Sequence, residues 1–267
     1  MIALTYAVTD SATMLRRNLR RLRRYPSMTL LLVGMPIVFL LLFVFVFGGQ
    51  LGHGLGRALA GGHAGRDGYL NYIVPGILLM TAAAAVQGTA IVVAMDMTSG
   101  IIDRFRTMAI ARASVLTGHV LASVIQAAAG IAIVLGVAIG LGFRPTAGPA
   151  DWLAAIAVLL LFSFALIWLA TALGLAAKSV ETASNTPMFL TLLPFLSSGF
   201  VPTATMPAGL RQFAAYQPFT PVTETIRGLL TGTPIGADAI GAVAWSAGIA
   251  VASYAWARHL YNHRHAG

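Results

Sequence analysis

Between two long apolar runs, residues 96–112 form a segment that carries five charged side chains. Asp96, Gly100 and Asp103 recur at spacings of four and three, which places them on one face of a helix. Carboxylates and arginines there could pair with charges on a second protein, and Gly100 would allow a close approach. The residues of interest in this segment are Asp96, Gly100, Asp103, Arg104, Arg106 and Arg112. An ordinary solvated loop is the alternative interpretation.

A second charged pair lies in the proline-rich stretch of residues 202–233. Glu224 and Arg227 are three positions apart, a spacing that lets opposite charges pair on a helix. Prolines divide the stretch into pieces too short to cross a membrane, at Pro202, Pro207 and Pro218 among others. We therefore expect two short helices that dip into one leaflet, a re-entrant hairpin with the ion pair inside it.

A few polar side chains interrupt the apolar runs, namely Thr81, Gln87, Thr89, Ser163 and Asn185. Set among apolar neighbours, they would suit the wall of a cavity that takes an amphipathic or lipid-like molecule from the bilayer. Hydrogen bonding between neighbouring helices is the alternative role for each of them.

Several kinds of chemistry are missing from the sequence. No phosphate-binding loop is present, because Lys178, the only lysine, lacks the required second glycine before it. The apolar runs hold almost no ionisable residues apart from His119, which disfavours an ion-coupled carrier. We expect no metal site and no cofactor in this chain, which contains no cysteine. We therefore expect any transport by this chain to be driven by an energy source outside the chain.

The composition of the chain indicates which kind of structure holds these charged and polar residues in place. Of 267 residues, 58% are hydrophobic and only 9% are charged, against about 25% charged in a soluble domain. The chain is therefore expected to be an all-α polytopic membrane protein, a single domain over residues 1–267. The apolar runs predict six transmembrane helices, at about residues 28–47, 69–95, 115–141, 152–177, 183–201 and 235–256. Pro75 and Gly76 are expected to interrupt the second, and Pro187 and Pro194 the fifth.

The first residues carry a different pattern. Between residues 4 and 24, leucines recur at helical spacing and six arginines fill the other positions. This pattern is typical of an amphipathic helix that lies in the headgroup layer and binds anionic lipid. A nucleic-acid-binding arm is the rival interpretation, disfavoured because an apolar run follows at once.

Orientation follows from the placement of positive charge. With both termini, residues 96–112 and the loop at 178–183 on one side, that side holds 12 of the 17 Lys and Arg residues. The positive-inside rule makes this the cytoplasmic side. We expect a multi-pass protein of the bacterial inner (cell) membrane with both termini in the cytoplasm.

Taken together, these residues resemble the permease subunit of type-2 ABC exporters, in its daunorubicin-resistance-like branch, over nearly the whole chain. Residues 96–112 look like the family's cytosolic coupling helix, although Ala109 stands where proline is frequent. Tyr69 with Val74, Pro75 and Gly76 looks like the entry to its second span. The most specific similarity lies before the last span, in Phe200, Pro202, Met206, Pro207, Leu210, Pro218, Thr220, Pro221, Arg227 and Gly232.

The resemblance implies an export permease, linked to drug and antibiotic resistance, that hydrolyses no ATP itself. ATP and Mg²⁺ would belong to a separate ABC ATPase subunit, and a second permease copy or paralogue would complete a two-plus-two assembly. It implies no nucleic-acid partner. Two other functions stay open: a membrane-embedded enzyme acting on lipid, and an assembly factor that does not transport.

Overall fold

The computed structural model describes residues 26–50, 65–98 and 112–263, with Gly52 and five isolated positions between Thr13 and Arg20. Within these ranges every regular element is helical, as predicted from the sequence. The helices are α1 (Pro26–Leu41, continued by a π-helical turn over Leu42–Phe47), α2 (Arg66–Thr98), α3 (Arg112–Gly140), α4 (Pro149–Ala176), α5 (Val180–Asn185), α6 (Met188–Leu192), α7 (Ala208–Tyr216), α8 (Phe219–Thr231) and α9 (Asp238–His263). Five of them, α1, α2, α3, α4 and α9, are long and apolar enough to cross a membrane.

The central helix of the bundle is α2, which contacts α1, α3, α4, α5 and α8 and buries most of its length. The interruption expected at Pro75 and Gly76 is wrong, because α2 runs unbroken from Arg66 to Thr98. Proline is tolerated inside a membrane helix where neighbouring segments supply polar partners. Such partners surround this part of α2, as described below.

The close packing of α4 depends on a small residue. At Gly174, a Cβ atom would lie 2.7 Å from the carbonyl oxygen of Ala90, so the backbones of α4 and α2 approach more closely than a larger residue allows. On its other side α4 packs along α9, where the ring centroids of Trp168 and Tyr254 lie 4.9 Å apart, edge to face. These contacts place α4 between α2 and α9.

A cluster of phenylalanines joins α1 to the chain that follows α6. The ring centroids of Phe39 and Phe195 lie 5.3 Å apart, and those of Phe43 and Phe200 lie 5.1 Å apart. Phe195 and Phe200 stack on each other at 4.9 Å. The cluster fixes the first span against the broken segment around residue 195.

The predicted fifth span does not form one helix. Its residues form α5, then α6, then a short 3-10 helix over Leu193–Leu196. Pro187 precedes α6 and Pro194 lies in the first turn of the 3-10 helix, so both breaks fall at the prolines, as expected. Proline lacks the backbone donor that a continuous helix needs at these positions.

Prolines also organise residues 202–233. Pro202 precedes a 3-10 turn over Thr203–Thr205, Pro207 precedes α7 and Pro218 precedes α8. At its other end α8 terminates in Gly232, which has the left-handed backbone (φ 73°) common after helices. The backbone N–H of Thr146 donates to the carbonyl oxygen of Leu230 at 2.9 Å, which holds this end against the α3–α4 loop.

Part of the predicted organisation falls outside the described residues. Within the predicted interfacial helix of residues 4–24, Arg16 and Arg20 are exposed and Leu15 is half-buried, all on helical backbone. Thr13 and Asn18 are also described, and the rest of that predicted helix lies outside the described residues. Most of the predicted coupling segment at 96–112 lies outside them too.

Candidate functional site

Arg227 on α8 is buried and binds three parts of the chain. One Nη atom lies 2.5 Å from Glu224 Oε1, so the ion pair expected from the sequence spacing is present. The other Nη donates to the carbonyl oxygens of Ser198 at 2.8 Å and Tyr72 at 3.2 Å. The planar guanidinium suits this arrangement because it carries several donors in one fork. We call these four residues the Arg227 junction; it ties α8 to α2 and to the chain before Pro202.

The backbone around Ser198 is buried in the bundle but is not helical, so its polar groups bind side chains instead. The carbonyl oxygen of Ser198 also accepts from the Tyr72 hydroxyl at 2.9 Å, and the N–H of Ser198 donates to Thr220 Oγ1 at 3.2 Å. Beside it, a Cβ atom at Gly76 would lie 2.6 Å from the carbonyl oxygen of Gly199. Buried backbone groups need such partners, and the two glycines let the segments touch.

A buried pair of ionisable side chains lies toward the other end of α2. Asp96 Oδ2 lies 3.2 Å from His119 Nε2 on α3, and the side chains are only 4% and 6% exposed. The pair stands two residues before the end of α2 at Thr98 and seven residues after the start of α3 at Arg112. It therefore joins the two helices beside the segment that connects them.

The same end of α2 is also fixed on its opposite side. Ala94 of α2 packs with Ala177, which follows α4, and with Ala183 of α5 in a small apolar cluster. Two helical turns before Ala94, the side-chain amide of Gln87 donates to the carbonyl oxygen of Ser184 at 3.1 Å. Small side chains and one hydrogen bond thus hold this end of α2 to the corner between α4 and α5.

Of the six predicted coupling residues, the structure describes two, Asp96 and Arg112. Gly100, Asp103, Arg104 and Arg106 lie outside the described residues, and Arg112 is the first residue of α3. Asp96 was expected on a face shared with Gly100 and Asp103, but it is 3% exposed inside the bundle. The reason is that α2 continues past it to Thr98 and His119 offers a partner on α3.

The predicted path residues differ in burial and in hydrogen bonding. Thr81 and Thr89 are buried, and each hydroxyl donates to the carbonyl oxygen four residues earlier in α2. Ser163 is fully buried in α4 and its hydroxyl has no hydrogen-bond partner. Gln87 is half-buried beside Ser184, and the neighbouring Asn185 is exposed.

Sequence reasoning missed Tyr72, Ser198 and the pairing of His119. An arginine in an apolar stretch signals that acceptors must lie nearby, and Arg227 carried that signal. The acceptors themselves lie 29 and 155 positions away along the chain, beyond any local pattern. His119 stood out as an ionisable residue in an apolar run, but nothing local indicated that Asp96 would be its partner.

These helices, with charged residues held in pairs inside the bundle, define a multi-pass α-helical membrane protein. Residues 10–231 match the family model described as ABC-2 type transporter. The chain therefore belongs to the ABC-2 type transporter family and is a transmembrane permease subunit of an ABC transporter. Such subunits are transport components and work with an ABC ATPase.

Curated relatives agree with this assignment. The chain is 28% identical to the daunorubicin resistance ABC transporter permease protein DrrB1 of Streptomyces coeruleorubidus, over 97% of this chain and 88% of the relative. It is 29% identical to the probable doxorubicin resistance ABC transporter permease protein DrrC of Mycobacterium tuberculosis, in two strains, over 69% of this chain and 67% of the relative.

Proposed function

We propose that the chain forms half of the membrane path of an ATP-driven exporter for an amphipathic drug, lipid or glycolipid. The observation that carries the proposal is the family match over residues 10–231, together with similarity to a daunorubicin resistance permease along 97% of the chain. A separate ABC ATPase subunit binds ATP and Mg²⁺ and supplies the energy. This chain holds no cofactor, has no catalytic residue and binds no nucleic acid.

Residues 96–112 are the proposed docking segment for the ATPase. α2 ends at Thr98 and α3 begins at Arg112, so this polar segment joins two spans at one face of the bundle. Gly100, Asp103, Arg104 and Arg106 are the proposed contact residues. Asp96 is buried against His119, so its part in coupling is exerted within the bundle.

Six crossings are proposed, the fifth of them broken. Ala183 packs beside Ala94 near one end of α2, whereas Gly199 lies against Gly76 toward the other. Gly76 and Ala94 are 18 positions apart, about 27 Å at the helical rise of ~1.5 Å per residue. That distance is close to the ~30 Å thickness of the hydrocarbon core, which supports a crossing by residues 183–199.

The α7–α8 stretch is the proposed re-entrant hairpin, within residues 202–233. At 9 and 13 residues, α7 and α8 are each too short to span. Phe219, at the start of α8, packs on Phe162, which lies 13 positions into α4, roughly 20 Å along it. Leu230, near the other end, binds the loop before α4. α8 therefore runs from inside the bundle back to the side where α4 begins.

A second permease copy or paralogue is proposed to cover the broken span. Helix breaks at membrane depth are tolerated only where protein or a water-filled cavity shields the backbone. Asn185 is exposed directly before the break at Pro187. We place the substrate path along this face, between two copies, with Gln87 and Asn185 on it. Thr81, Thr89 and Ser163 lie behind it, inside the bundle.

The proposed location is the bacterial inner (cell) membrane, with both termini in the cytoplasm and residues 1–267 forming one domain. In this orientation residues 4–24 lie on the cytoplasmic headgroups, where their arginines bind anionic lipid. The exposed side chains of Arg16 and Arg20 support that arrangement.

Reconstitution with the ATPase tests the proposed function. We expect the chain to co-purify with an ABC ATPase and, in proteoliposomes, to transport daunorubicin as a probe only when both subunits and ATP are present. Asp103→Arg should weaken ATPase binding, whereas Asp67→Arg, the same change at the opposite end of α2, should not. ATP-independent transport, or hydrolysis by the chain alone, would contradict the proposal. Equal binding by both variants would show that residues 96–112 are not the docking segment.

A further inference from the structure

Two buried polar contacts hold α2 toward its opposite ends. Asp96 pairs with His119 of α3 near the end of α2, and the carbonyl oxygen of Tyr72, near its start, accepts from Arg227 of α8. Twenty-four positions separate Tyr72 from Asp96, about 36 Å along one unbroken helix. A rigid α-helix fixed at both ends transmits a displacement along its length.

We infer that Asp96 and His119 are positioning residues that bind α2 and α3 into one rigid unit at the root of the docking segment. This inference rests on the proposed function of residues 96–112. A force applied to residues 99–111 reaches the bundle through Thr98 and Arg112. If those two attachment points could move apart, the segment would shift without moving the spans. The contact between Asp96 Oδ2 and His119 Nε2 holds the two attachment points together.

Burial is what makes the pair a firm connection. Both side chains are almost completely excluded from solvent, and a buried polar group that loses a hydrogen-bonding partner destabilises the structure. On the far side of α2, the contacts of Ala94 with Ala177 and Ala183 fix the same end against the α4–α5 corner. Movement of the docking segment therefore displaces α2 as a body and, through the Arg227 junction, reaches α8.

The test measures the coupling ratio, the amount of daunorubicin transported per ATP hydrolysed by the reconstituted complex. We expect His119→Leu to keep ATPase binding and hydrolysis but to lower the coupling ratio about fivefold or more, in the range of typical coupling energies. The exchanged pair, Asp96→His with His119→Asp, should restore most of the ratio. A matched control is Ser123→Ala, a polar-to-apolar change four positions along α3 from His119, which should leave the ratio unchanged.

A metal-dependent rescue separates positioning from general folding. Asp96→His alone places two imidazoles side by side, which can bind Zn²⁺. We expect this variant to be uncoupled, to regain coupling when Zn²⁺ is added and to lose it again with EDTA, while the unchanged protein is unaffected by Zn²⁺. A variant that merely failed to fold would not respond reversibly.

The outcomes distinguish this inference from the proposed function. An unchanged coupling ratio in folded His119→Leu overturns the inference, and so does further inhibition of Asp96→His by Zn²⁺, which would mean that the two helices must separate. If His119→Leu does not fold, the exchanged pair and the Zn²⁺ response decide. Failure of the unchanged chain to bind an ATPase or to transport overturns the proposed function itself.

Discussion

Arg227 and Tyr72 meet in two ways at once: the guanidinium carbon lies 3.9 Å from the centroid of the tyrosine ring, and an Nη atom donates to the tyrosine carbonyl oxygen at 3.2 Å. Backbone and side chain of one residue thus hold the same charged group. A cation above an aromatic ring gains further when water is excluded. Because Tyr72 lies three residues before Pro75, the contact supports α2 beside its proline.

Removing the charge at the Arg227 junction should destabilise the bundle. Arg227→Leu removes the ion-pair partner of Glu224 and the guanidinium donor that binds the carbonyl oxygens of Tyr72 and Ser198. We expect a loss of about 2 kcal/mol, below the value for a fully buried pair because Glu224 is 32% exposed, seen as a lower midpoint of thermal unfolding in detergent. Arg211→Leu, on exposed α7, is the control and should change the midpoint little. Equal midpoints for the two variants would contradict the assigned contacts.

Tyr72→Phe offers a milder change at the same place. It keeps the ring beneath the guanidinium and removes only the hydroxyl that donates to the carbonyl oxygen of Ser198. The expected loss is about 1 kcal/mol, one net hydrogen bond, measured by the same unfolding midpoint. A loss as large as that of Arg227→Leu would contradict the main role assigned to the guanidinium in the junction.

Local pattern predicted the long helices well, because uninterrupted apolar residues leave few alternatives. The predicted fourth span, for example, differs from Pro149–Ala176 by three residues at most. The sequence also placed both helix breaks in residues 183–201, at Pro187 and Pro194, since proline acts on its own neighbours. Prediction from the sequence failed where contacts between distant segments of the chain determine the structure. Continuity of α2 through Pro75 depends on packing against Gly199, and burial of Asp96 depends on His119.

The contact between Gly76 and Gly199 predicts a position-specific effect. Gly76→Ala places a methyl group 2.6 Å from a backbone oxygen, so one of the two segments must shift. We expect destabilisation of about 1–3 kcal/mol, the usual effect of overpacking. Gly88→Ala, in the same helix with nothing within 4 Å of the added atom, should be neutral or gain up to about 1 kcal/mol. Similar unfolding midpoints for both variants would argue against close approach at Gly76.

The same substitution, serine to alanine, can be compared at two buried positions, Ser163 and Ser246. Ser163 and Ser246 are both fully buried in long helices, but only Ser246 donates a hydrogen bond, to the carbonyl oxygen of Ala242 at 2.7 Å. Ser163→Ala should therefore be more favourable than Ser246→Ala by about 1 kcal/mol. Unfolding midpoints check this difference. A larger loss in Ser163→Ala would show that its hydroxyl has a partner in the assembled transporter.

The number of crossings can be settled by labelling, because the chain contains no cysteine to interfere. Glu181 stands at the start of α5 and Thr205 stands after the broken segment, and both are exposed. If residues 183–199 cross the membrane, these two positions face opposite sides. If the segment returns to its starting side, they face the same side.

We expect Glu181→Cys to react with a membrane-impermeant maleimide only after cells are opened, and Thr205→Cys to react in intact cells. Ala150→Cys, exposed at the start of α4, is the matched control and should also react from outside, because the α3–α4 loop binds the end of α8 through Thr146 and Leu230. The physical reason is the separation of Ala94 and Gly76 along α2, which the segment follows from end to end. Labelling of positions 181 and 205 from the same side would reduce the protein to five crossings.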